Sequence, residues 1–117
     1  MKHQKSGRVL SRKKDQRNAL LNGLVSSLII HEKIKTTRAK AKETAPLAEK
    51  MITRAKKGDL SAIKRMNETL SKEAALKIMK VAGSKFQNRD GGYTRITKLA
   101  PRKIDGAEMA ILELINE

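Results

Sequence analysis

Apolar positions recur at helical spacing through the first two thirds of this chain and at a spacing of two near its end. Leu20, Leu24 and Leu28 form one i, i+4 row, and Leu21, Val25 and Ile29 form the row beside it. Together they predict a helix from Ser11 to about Ile30 with one broad apolar face. Ser11 is placed to cap it, although Lys14, three residues on, is not the carboxylate or amide of a capping box. HEKIKTT at 31–37 alternates weakly around Ile34 and reads as a short strand or an extended link. Thr36 or Thr37 then caps a second helix with Ala41, Ala45, Ala48, Ile52 and Ala55 inward, stopped by Gly58. Pro46 inside it predicts a kink or a short break, since proline offers no ladder N–H and disfavours a helical residue before it. Asp59 caps a short third helix containing Leu60, Ile63 and Met66. Ser71 caps a fourth, with Ala75, Leu76, Met79 and Ala82 inward and Gly83 closing it.

After Gly83 the period changes. SKFQNRDGG is turn-like, and YTRITKL at 93–99 alternates in β-branched and aromatic residues, as a strand does. APRKIDG can reverse the chain. AEMAILELI at 107–115 suits a helix as well as a strand; the strand reading gives 93–99 a partner and is preferred. The expected fold is α+β, in the order α-β-α-α-α-β-β. Residues 11–117 form one domain, preceded by a basic tail over 1–10.

Charge changes the picture most at the amino end. Before Ala19 the chain places Lys2, Lys5, Arg8, Arg12, Lys13, Lys14 and Arg17 against one acid, Asp15, with Val9 and Leu10 almost the only large apolar residues. Such a segment cannot bury enough surface to offset the entropy of ordering it, so alone it is expected to be disordered, and order must come from a partner. The whole chain has 27 Lys and Arg against 12 Asp and Glu, a net charge of +15 in 117 residues. That excess costs self-repulsion in the compact state, and a polyanion is its natural compensator. Each cation placed on a phosphate releases condensed counterion, whatever the sequence. The alternative reading as a solvated tail is open to any charge run.

Around the alanine row of the second helix stand Lys33, Lys35, Arg38, Lys40, Lys42, Lys50, Arg54, Lys56 and Lys57, with only Glu43 and Glu49 among them. A merely solvated face would carry more alternating acids. RNA contact is expected for Lys35, Arg38, Lys40, Lys42 and Arg54. GGYTRI has two readings of equal weight. Gly91 and Gly92 could bring backbone close to phosphate while Tyr93 and Arg95, with Arg89 before them, grip a base or ribose; or the segment is an ordinary strand entrance with Tyr93 half in the core. The chain has one Phe and one Tyr and no Trp, so a single-strand stacking platform is not expected, and folded RNA read by shape and phosphate is favoured.

Other classes fall away. With no cysteine there are no disulfides, thiolate ligands or cysteine nucleophiles. LLNGLVSSLII at 20–30 is interrupted by polar residues and is far short of the roughly 20 that span a bilayer. The basic opening is not followed by the apolar run of a secretory leader, so it is not expected to be a targeting signal of that kind, and the lack of cysteine fits a reducing compartment, so a cytoplasmic location is expected. His31-Glu32 lacks a second histidine at metalloprotease spacing, no glycine-rich loop has P-loop form, and Asp15, Asp59, Asp90 and Asp105 read as caps and turns. No catalytic, cofactor or metal site and no small-molecule substrate is expected. His3 reads as a further RNA contact or a surface residue. A DNA-compacting nucleoid protein is the alternative that charge alone would permit.

The run IKTTRAKAKETAPLAEKMITRAKKGD at 34–59, with MKHQKSGRVLSRKKDQR, ALLNGLVSSLIIHEKI and GGYTRI, closely resembles the bacterial large-subunit ribosomal protein family number seventeen, over essentially the whole chain and in order. The resemblance implies a two-layer fold, helices packed on a small mixed sheet, and a structural role in the large ribosomal subunit. The implied partners are folded 23S-type ribosomal RNA, near the outer end of the peptide exit tunnel, and neighbouring ribosomal proteins. The family pattern usually has a second basic residue near the amino end where this chain has Gln4, His where it has Gln16, and Arg where it has Ala45, so contacts at those three positions are not carried over.

Overall fold

A computed structural model describes residues 14–115, in the order α1 (Lys14–His31), β1 (Lys33–Thr37), α2 (Arg38–Lys57), α3 (Leu60–Thr69), α4 (Lys72–Ser84), β2 (Thr94–Leu99) and β3 (Met109–Leu114). The α+β class and the element order are those the sequence predicts. The basic tail over 1–10, and the expected start of the first helix at Ser11, lie outside the described residues.

The sheet has the order β1-β3-β2 and is antiparallel at both pairings, a correction to the mixed sheet expected. The reason is β3: it forms a hairpin with β2 and then lies between β2 and β1, so the two strands that share a direction never touch. Ile34, Leu112 and Ile96 stand side by side in register. They share the face toward the helices with Ala110 and Leu114, while Lys33, Lys35, Arg95 and Glu113 alternate onto the other. The ambiguous segment 107–115 is therefore a strand, and the central one.

Each inner helical face matches its stripe closely enough to form one core. Leu21, Val25, Leu28 and Ile29 of α1 meet Ala41, Ala48, Ile52 and Ala55 of α2 and Ala74, Ala75, Ile78 and Ala82 of α4, all buried. Small alanines on facing helices allow close approach. The Thr37 hydroxyl accepts from the Lys40 N–H to start α2, and Gly58 at φ 65° ends it. Asp59 and Ser71 cap α3 and α4 by accepting from the N–H groups of Ala62 and Ala74. Pro46 does not break α2. It sits on the exposed face, where water can satisfy the Lys42 carbonyl that lacks its ladder donor.

Three details differ from the pattern reading. Leu76, expected inward, is 65% exposed, because the buried stripe of α4 runs through Ala74, Ala75, Ile78 and Val81. Gly83 does not close α4, which continues to Ser84 with the Lys85 N–H donating to the Val81 carbonyl. Ser26, which interrupts the apolar run in sequence, is buried, and its hydroxyl accepts from the Ser71 N–H at 3.1 Å, fixing the α3–α4 junction to α1.

The α1–β1 junction turns at Glu32, a non-glycine residue at φ 65°. That conformation costs about 1–2 kcal/mol. Its carboxylate meets Lys85 at 2.5 Å and Lys77 at 3.1 Å, while its carbonyl accepts from the Leu114 N–H. The hydrogen bonds from Lys85 and then Lys77 hold the carboxyl below its ordinary value of 4.5. A carboxyl depressed in the folded state contributes stability that is full above its unfolded pKa and fades as pH falls through the folded one. Glu32→Gln should therefore cost about 1 kcal/mol at pH 7, given that the pairs are partly exposed. The gap from the unaltered chain should close on acidification below about pH 4. Urea unfolding of both proteins at pH 7 and pH 3 checks this; an undiminished gap at pH 3 would refute the ion-pair account.

Candidate nucleic-acid interface

The burial of α2 sorts its charges. Opposite the buried Ala41, Thr44, Ala48, Ile52 and Ala55 lie Lys42, Pro46, Lys50, Thr53, Arg54 and Lys57, all exposed. Arg38 extends this band to the first residue of the helix. At 1.5 Å per residue the band is about 28 Å long. The acids beside it are half-buried, and Glu49 is turned to β2, where its Oε2 accepts from the Thr94 hydroxyl at 2.8 Å and the Thr94 N–H at 3.3 Å. A row of cations thus faces solvent with its nearest acid engaged elsewhere.

Two depressions flank the carboxyl-terminal half of this row. One is lined by Lys50, Arg54 and Lys57 together with Asp90 and Gly91, so the turn before β2 lies beside the α2 cations. The other runs between α2 and α3 and is lined by Arg54, Lys57, Lys64 and Arg65, with Asp59 and Glu68. Asp59 is committed to its cap, 2.8 Å from the Ala62 N–H. The amino-terminal end has a smaller depression at Arg38, Lys42 and Glu108, where Arg38 pairs with Glu108 at 3.4 Å.

Among the residues expected to contact RNA, the structure brings Lys42, Arg54 and Gly91 to this face, with Arg38 at its end. Lys40 is half-buried on the flank of α2. Lys35 and Arg95 project from the opposite face of the sheet, near Lys33, and Arg95 pairs with Glu113 at 3.5 Å. They form a second, smaller basic surface. Lys14 is exposed and Arg17 half-buried in the first turns of α1. Lys2, His3, Lys5, Arg8, Arg12 and Lys13 lie outside the described residues.

Tyr93 packs in the core. The residue is 1% exposed, its ring 5.0 Å from that of Phe86 at an interplanar angle of 60°. Its hydroxyl donates to the Arg89 carbonyl at 3.1 Å and accepts from the Lys56 ammonium at 3.3 Å, and that ammonium also bonds the Arg89 carbonyl and lies 5.4 Å from the ring centre. Lys56 is thereby withdrawn from the solvent row. The Arg89 guanidinium donates to the Gly92 carbonyl at 3.1 Å, and Gly92 takes φ 62°, so Arg89 and Gly92 build the turn that presents Gly91.

Sequence reasoning grouped Lys50 and Lys57 with the second helix but did not select them, and it missed Lys64 and Arg65 altogether. The signal was present for the first pair: both fall opposite the alanine row at helical spacing. Nothing local marks Lys64 and Arg65; only the packing of α3 against α2 brings them to Arg54. Among the described residues no group of acids and histidines could hold a metal, and no helix is long and apolar enough to cross a membrane.

The family model described as Ribosomal protein L17 matches residues 20–115. The large ribosomal subunit protein bL17 of Natranaerobius thermophilus is 52% identical over 108 residues, covering 92% of this chain and 96% of its own length. The proteins of the same name from Clostridium acetobutylicum and from Clostridium botulinum strain Loch Maree are 50% and 49% identical over 109 residues, with the same coverage.

Proposed function

Because the chain belongs to the ribosomal protein L17 family, we propose that it is a structural constituent of the bacterial large ribosomal subunit. In this reading it holds folded ribosomal RNA by phosphate contacts near the peptide exit tunnel, with neighbouring ribosomal proteins as its other partners. The observation that carries the reading is the α2 row, in which Lys42, Lys50, Arg54 and Lys57 are all exposed while Glu49 is drawn inward to Thr94. A helix needs no such arrangement for stability, since crowding like charges at i, i+4 and i+3 is unfavourable when nothing compensates them. A phosphate backbone compensates them. The absence of an exposed aromatic among the described residues favours recognition by shape and charge over base stacking. The role is structural rather than catalytic, and it places the protein with cytoplasmic ribosomes.

Sedimentation tests it. The tagged chain should travel with large subunits through a sucrose gradient in high salt and appear in the small-subunit and nucleoid fractions only at trace levels. Recovery with the nucleoid instead would overturn the reading in favour of DNA compaction.

A further inference from the structure

The β2–β3 hairpin ends in a loop whose construction the RNA-binding surface does not explain. Residues 100–108 join Leu99 to Met109. Within them the Arg102 N–H donates to the Ala107 carbonyl and the Gly106 N–H to the Arg102 carbonyl, both at 2.8 Å. The Arg102 guanidinium grips the Asp105 carboxylate with two bonds, at 3.1 and 2.9 Å, and Asp105 accepts as well from the Ala107 N–H. Gly106 takes φ 72°, which closes the turn. The bonds from Arg102 and Ala107 hold the Asp105 carboxyl down to about 2. At the apex of this braced loop stands Ile104, 93% exposed.

A lone exposed apolar residue is ordinary. An isoleucine raised on a loop that five backbone and side-chain hydrogen bonds lock is not, because locking it removes beforehand the ordering cost that binding would otherwise meet. The charges around it choose the class of partner. Residues 94–114 carry four bases and three acids, and Arg95, Arg102, Asp105, Glu108 and Glu113 are all engaged in ion pairs within the protein. Residues 38–65, by contrast, carry nine bases and three acids. The hairpin is thus nearly neutral, with all its acids and two of its four cations already paired, whereas the α2 side keeps a large excess of positive charge for phosphate.

Resting on the assignment to the large subunit, we propose that Ile104 is an anchor that inserts into an apolar pocket of a neighbouring ribosomal protein. Lys103, which has no ion-pair partner among the described residues, then meets a carboxylate at the pocket's rim. The hairpin is the protein-facing end of the molecule and α2 the RNA-facing side.

A photoactivatable benzoylphenylalanine placed at position 104 of the full chain, incorporated into large subunits in cells, tests this beside the same probe at position 50. The probe at 104 should give one adduct that survives ribonuclease and that mass spectrometry identifies as a ribosomal protein, joined at an apolar pocket. The probe at 50 should give an adduct that ribonuclease removes. An RNA adduct at 104, or none, overturns the anchor. Failure of the probe at 50 to reach RNA, with protein capture at 104 intact, would instead count against the α2 surface. As a second measurement, Ile104→Ser should leave the thermal midpoint of the free protein unchanged, since the side chain touches no core. It should speed exchange of labelled protein out of purified subunits roughly ten- to hundredfold, the equivalent of losing one buried isoleucine. An unchanged exchange rate also overturns the proposal.

Discussion

A chain lacking residues 1–13 should fold with little change in thermal midpoint and bind a large-subunit RNA fragment much more weakly than the whole chain, with a flatter dependence on salt. Folding survives because the first buried residue of α1 is Leu21, and the described helix begins only at Lys14. Binding falls because the deletion removes Lys2, Lys5, Arg8, Arg12 and Lys13. If each of these sits on a phosphate, the slope of log K against log salt becomes shallower by roughly 3.5–4.5, at about 0.7–0.9 for each contact. The advantage of the whole chain should then shrink by roughly two orders of magnitude between 50 and 200 mM salt. Replacing Lys42, Lys50, Arg54 and Lys57 by Gln gives the internal comparison. That surface change should flatten the slope by about three on its own, and the two effects should add, since the groups lie on separate parts of the chain. Equal slopes for the whole and truncated proteins would mean that the opening segment is solvated and that the binding rests on α2.

Most of the architecture was legible because its elements announce themselves locally. Thr37, Asp59 and Ser71 are cap residues placed just before helical stripes, and each caps in the structure. Gly58 ends α2 by the left-handed turn that glycine tolerates. What could not be read locally was decided by contacts between distant segments. AEMAILELI satisfies both periods, and becomes a strand because β1 and β2 flank it on both sides. Leu76 looks like a core residue by spacing, yet the smaller Ala74 points inward, because close helix packing prefers it there. The site divides in the same way. The cations of α2 lie on one strongly periodic helix, so their common face follows from the sequence, whereas the split between Lys56, drawn inward to Tyr93, and Lys57, left in solvent, depends on where the 85–93 segment crosses the helix. Lys64 and Arg65 join Arg54 only through the angle at which α3 returns.

Truncating Phe86 to Ala should cost about 3–5 kcal/mol, a large part of the roughly 5–15 kcal/mol that holds a domain of this size together. The ring is 1% exposed and there is no other aromatic beside Tyr93 to close over the gap. Some of the loss belongs to the pair itself, since tilted rings 5.0 Å apart contribute about 0.5–1.5 kcal/mol beyond their area. A double-mutant cycle of Phe86→Leu with Tyr93→Leu, followed by urea unfolding, measures that coupling. The same Tyr93→Leu protein decides what the tyrosine is for. If its ring belongs wholly to the core, the variant is less stable, yet at a temperature where it remains folded it binds RNA within about twofold of the unaltered chain. If instead the ring leaves the core to stack on a base in the complex, affinity should fall by the roughly 1–3 kcal/mol that such stacking supplies, about 5- to 160-fold. The geometry favours the first outcome. To expose the ring, Tyr93 would have to give up the Arg89 carbonyl, the Lys56 ammonium and Phe86 together. The turn that holds Gly91 against the α2 row would come apart with them, so stacking by Tyr93 would undo part of the surface that phosphate contact requires.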